Sequence, residues 1–126
     1  MKKIIRHLLV SLFFMLFFSF AFAQKQSVIQ PGETWPDIDG NHIQAHGGGI
    51  IKIKNTWYWY GEQRGQGLDT TYRYVSCYSS KDLINWKFNG NVLKMAAPDS
   101  LPAKWVLERP KVFYNQKTKK YVMYFH

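Results

Sequence analysis

The chain has 126 residues, with 17 Lys and Arg against 8 Asp and Glu, for a net charge of +9. The basic residues are scattered and no nucleic-acid module is legible, so a nucleic-acid partner is not expected. Cys77 is the single cysteine, which excludes an intramolecular disulfide, and it reads as a small buried apolar residue.

Lys2, Lys3 and Arg6 precede "LLVSLFFMLFFSFAF", an apolar run of about fifteen residues and too short for a comfortable membrane span. Ala21-Phe22-Ala23 supplies a small-x-small cleavage pattern. Residues 1–23 are therefore expected to be a secretory signal peptide cut before Gln24. An uncleaved anchor is the other reading, and no cysteine stands at the cleavage point to make a lipoprotein. Cleavage would remove three positive charges and no acids. It would leave a secreted or periplasmic protein of a bacterial envelope, with no membrane span.

Residues 24–42 are rich in Pro, Gly and Asp, and predict an extended lead-in with turns. "GGIIKIKNTWYWYGE" predicts a hairpin turning at Lys54-Asn55-Thr56. "TYRYVSCYSS" alternates and predicts a third strand. "KDLINWKFNGNVL" predicts a turn and a fourth strand, with Asn89-Gly90 marking a further turn. In the first part of it, Asp82 is expected to bond turn amides and Trp86 to pack between sheets. "AAPDSLPAKW" reads as loop. "ERPKVFYNQKTKKYVMYFH" predicts a second hairpin, with "KTKK" in its turn. No helical pattern of useful length is present.

The two hairpins share a plan: a strand, a polar turn, then an aromatic-rich strand. Trp57 and Tyr121 are offset by about 60 residues, and four short antiparallel strands at that period suggest a β-propeller blade. The expectation is an all-β fold, a five-bladed β-propeller of which about one and a half N-terminal blades are present over residues 43–126. Five blades at this period need on the order of 300 residues, so the chain is expected to be an N-terminal fragment. A complete small β-domain is the plainer alternative.

In such a fold, strand starts and the ends of their partners meet at one rim. His46 with Gly47–Gly49 starts the first inner strand, and Glu62 lies past its partner. Glu108 and Arg109 start the second, and His126 matches Glu62. These are the candidate site residues, with the glycines letting backbone crowd close to the channel or a ligand. Each also has a structural reading: an ion pair for Glu108-Arg109, a solvated strand end for Glu62, a satisfied histidine for His46. Trp57, Tyr58, Trp59 and Tyr60 fit an inter-blade core better than a sugar platform.

"YSSKDLINW" resembles the blade motif of secreted five-bladed propeller glycosidases. "AHGGGIIKIKNTWYWYGE" with "ERPKVFYNQKTKKYVMYFH" is similar to family-43 glycoside hydrolases, nearest the branch that includes galactan 1,3-β-galactosidases. The resemblance implies inverting hydrolysis of a glycosidic bond in β-1,3-galactan or a related galactose- or arabinose-containing plant polysaccharide. An arabinofuranosidase or β-xylosidase of the family, or a non-catalytic carbohydrate-binding propeller, are the alternatives. Most family members begin the first inner strand with an Asp-Pro pair whose Asp is the base; here Ala45-His46-Gly47 stands there, a departure shared by the galactanase-like branch. Glu108 matches the second-blade acidic position that tunes the acid's pKa and orients the sugar, and is the candidate catalytic residue. His46, Glu62, Arg109 and His126 are candidate sugar contacts. The resemblance puts the proton donor in a later blade, so the 126-residue chain alone is expected to be inactive. No cofactor or metal is expected; channel calcium would suit the family, but no acidic cluster here argues for it.

Overall fold

The computed structural model describes residues 26–65, 67–97 and 105–126. The segment expected to be a signal peptide and most of the proline-containing loop before Trp105 lie outside these residues. Six strands form two antiparallel sheets, and the described residues contain no helix.

The first sheet has the order β1 (His46–Ile53), β2 (Thr56–Glu62), β3 (Tyr72–Ser80) and β4 (Lys87–Ala96). β1 turns into β2 through Lys54-Asn55, with Lys54 at φ +53°. The second sheet pairs β5 (Lys111–Asn115) with β6 (Lys120–Tyr124). Its turn is held by the Asn115 carboxamide oxygen, which accepts the Lys117 and Thr118 amides. β1 and β5 lie against each other, so each is the innermost strand of its sheet. This is one complete blade and the inner pair of strands of a second.

Alternation along β2 and β3 splits the apolar side chains between two cores. On one side Trp57 and Trp59 pack with Trp35, Ile43, Ala45, Tyr78, Trp86 and Phe88. On the other, Tyr60 packs with Val75, Leu93, Met95, Trp105, Leu107 and Met123. The second core ties the two sheets together. The first is closed by the lead-in. Trp86 is fully buried there, between the sheet and residues 35–45 rather than between two sheets.

The lead-in is extended with turns, as its composition suggests. Buried Asp37 accepts the amides of Asp39 and Asn41. The Trp35 indole donates to the Ile84 carbonyl. The Gln44 amide donates to the Tyr78 hydroxyl at 3.0 Å, and Ser76 donates back to the Gln44 carbonyl. Within the turn before β4, Asp82 accepts the Asn85 and Ile84 amides, and these bonds hold its carboxyl well below the usual range.

Asn89-Gly90 is not a turn. Both residues lie inside β4, where Tyr78 pairs Phe88 and Cys77 pairs Gly90, leaving Asn89 as an extra residue. Gly90 sits at φ +107°. The dipeptide makes a β-bulge, which uses the same left-handed freedom of glycine that a turn would use. Cys77 is buried in β3, and burial raises its thiol pKa.

Candidate functional site

The two inner hairpins end in the same irregularity. In the first sheet His46 pairs Glu62 and Gly49 pairs Tyr60, so Gly47 and Gly48 face Gly61 alone. In the second, Lys111 pairs Tyr124. Glu108 and His126 exchange both backbone hydrogen bonds, at 2.7 and 2.8 Å. Arg109 and Pro110 therefore face Phe125 alone. Each hairpin carries a two-against-one bulge. The first bulged residue is left-handed in both: Gly47 at φ +56° and Arg109 at φ +54°. Glycine adopts this without penalty, whereas for arginine it costs about 1–2 kcal/mol.

The bulges bring Glu62 and Arg109 together. Glu62 is buried, at 6% exposure. One carboxylate oxygen accepts the Arg109 backbone N–H at 3.0 Å. The other accepts the Arg64 guanidinium, as a hydrogen-bonded ion pair. Glu62 thus has protein partners on both oxygens and is not a bare solvated strand end. A carboxylate offers about four lone-pair directions, so these bonds leave acceptor capacity. A Cβ at Gly47 would lie 3.0 Å from the Glu62 oxygen, so glycine there makes room for the carboxylate.

The other glycines of this bulge and its partner strand, Gly48 and Gly61, are crowded by protein. A Cβ at Gly48 would fall 2.0 Å from the Tyr60 carbonyl oxygen, and one at Gly61 within 2.3 Å of the Ala45 backbone.

Glu62 and Glu108 line one cleft of about 200 Å³ with Gln63, Arg64, Arg73, Tyr74, Val106 and Leu107. His46, Arg109 and His126 stand beside this cleft and do not line it. His46 is half-buried and its Nε2 meets the Gln44 side chain at 3.0 Å; Gln44 in turn meets His42 at 3.1 Å. Arg109 and His126 are exposed, and Glu108 is half-buried. Arg73 is held by the Thr70 and Tyr72 carbonyls and lies 5.7 Å from the Trp105 ring centroid. Arg64 and Arg73 have no signature in the sequence beyond lying near a strand end. Among the described residues, no three His, Cys, Asp or Glu side chains group to hold a metal.

The arrangement offers carboxylate, carboxamide, guanidinium and phenol groups around one small cleft. Such groups can hydrogen-bond a polyol ring from several directions.

No family model and no curated protein matches the chain. Solved structures do. An exo-β-1,3-galactanase from Phanerochaete chrysosporium, with galactose, is 44% identical with a TM-score of 0.67, over 78% of this chain and 23% of that one. A glutamate variant of that enzyme is solved with β-1,3-galactotriose. A family-43 β-1,3-galactosidase with galactodeoxynojirimycin is 44% identical with a TM-score of 0.64, over 78% of this chain and 29% of that one. An exo-β-1,3-galactanase from Clostridium thermocellum is 43% identical with a TM-score of 0.62, over 80% and 21%. The chain thus spans less than a third of the length of these relatives.

Proposed function

We propose that this chain, which belongs to glycoside hydrolase family 43, supplies one part of the sugar pocket of a secreted, inverting exo-β-1,3-galactanase. The observation that carries the reading is the identity of more than 40% to galactanases and a galactosidase over some four-fifths of the chain. The paired bulges and the shared cleft support it, because they gather polar groups from two blades at one rim.

Inversion needs a carboxylic acid at the leaving oxygen and a base on the far side, about 6.5–9.5 Å away. Glu108 is assigned the task of orienting the terminal galactose and tuning the acid through its charge. Arg109, His46 and His126 are assigned sugar hydroxyls, and Glu62 a hydroxyl contact through its remaining lone pairs. No carboxylate stands at His46, so the acid and the base are assigned to the part of the pocket that this chain does not supply. The basic n-region and apolar run at residues 2–22 support secretion.

The test is galactose release from β-1,3-galactobiose by the whole protein, beside xylobiose and arabinan. Galactose released first as the α-anomer, with kcat/KM lowered about a hundredfold in Glu108→Gln, is expected. Release of xylose or arabinose instead would move the protein to the family's other activities. Sugar binding without turnover would make it a non-catalytic propeller.

A further inference from the structure

The two inner hairpins are joined by two contacts that run in opposite directions. From the first sheet, Glu62 reaches across and accepts the Arg109 N–H at 3.0 Å. From the second, the Lys111 ammonium reaches back and donates to the carbonyls of Gly47 and Gly48, at 2.7 Å each. Each bulge leaves backbone groups outside the strand ladder, and each is satisfied by a charged side chain of the other sheet. The Lys111 stem fills the space over Gly49, where a Cβ would lie 2.6 Å from its Cδ.

We infer that Lys111 and Glu62 form a reciprocal clasp between the two bulges, and that Lys111 is a positioning residue for the site. The clasp fixes the offset of β5 against β1. That offset sets how far Glu108 and Arg109 stand from His46 and Glu62. It also holds Arg109 in its left-handed conformation through the bond to its backbone N–H. A charged donor is suited to the task, since one ammonium carries three N–H groups and two meet carbonyls here. The positioning half rests on the galactanase reading; the clasp itself does not.

The experiment is amide exchange together with steady-state kinetics on the whole protein, comparing wild type, Lys111→Met, Lys111→Arg and Gly49→Ala. Lys111→Met is expected to speed exchange of the Arg109 amide about tenfold or more. It is also expected to lower kcat/KM on β-1,3-galactobiose about ten- to a hundredfold, with most of both effects recovered in Lys111→Arg. Gly49→Ala displaces the lysine stem from the opposite side, so it reports on the clasp if Lys111→Met fails to fold. Unchanged Arg109 exchange in the variants that fold overturns the clasp. Faster exchange with kcat and KM untouched overturns the positioning role. A wild-type protein that releases no galactose sinks the galactanase reading instead, and the exchange data alone then decide the clasp.

Discussion

The bulge at His46–Gly49 and the bulge at Glu108–Lys111 have one backbone and opposite chemistry. In the first, histidine stands on the inner strand and glutamate on its partner; in the second the order is reversed. In the first, the left-handed residue is glycine; in the second it is arginine. What repeats is the path of the chain, with its two-against-one pairing. What differs is which side chain the path presents. A propeller can thus keep its blade geometry while placing different functional groups at each rim position. The cost of an arginine in the left-handed region, about 1–2 kcal/mol, is offset by the buried carboxylate that holds its amide.

The comparison can be broken at several points. Gly48→Ala should have the largest effect, since its Cβ would collide with the Tyr60 carbonyl at 2.0 Å. A loss of about 3 kcal/mol is expected in chemical denaturation, and a loss under 1 kcal/mol would mean the bulge can widen freely. Glu62→Gln should cost about 1–3 kcal/mol by leaving Arg64 unpaired and weakening the Arg109 contact. A neutral result would show that the second bulge holds its shape unaided.

Exchanging the left-handed residues gives opposite signs. Gly47→Ala should destabilise by about 1 kcal/mol or more, while Arg109→Gly should be neutral or stabilising by about 0.5 kcal/mol yet lower sugar affinity. Arg109→Gly that destabilises as much as Gly47→Ala would place the side chain, not the backbone, in charge of stability.

The smallest effect concerns Tyr60, which pairs Cys77 in the complete blade. Burial, then the neighbouring Cys77, push its pKa from 10.0 up to about 12. The neutral phenol is the form the fold favours, so its contribution is full below pH 10 and is lost as pH rises towards 12. Stability measured between pH 9 and 12 should fall less steeply in Tyr60→Phe than in wild type; equal slopes would assign the alkaline loss elsewhere.

Much of this fold is legible in the residues. The alternation in "IIKIK" and "WYWY" marks β1 and β2, and Asp82 and Asn115 mark turns through their short acceptors. Asn89-Gly90 misleads because one backbone freedom serves both a turn and a bulge. The glycine run announces a close approach, and within the chain the groups it lets in are Glu62, Tyr60 and Lys111. Glu62 and Glu108 are identifiable as rim residues from the repeat, and they do share a cleft. Lys111 is invisible in "ERPK" because its partners lie 63 and 64 residues away, in a strand that only the folded chain brings near.

The lead-in has a consequence in time. Trp35 is synthesised 49 residues before Ile84, whose carbonyl receives its indole, and Gln26 is synthesised 59 residues before Asn85. At about 5–20 residues per second, the lead-in waits roughly 2 to 12 s for its partners. Through that interval Trp35 and Ile43 emerge without Trp86 to cover them. The first core closes only when the turn before β4 comes back to a segment made some fifty residues earlier.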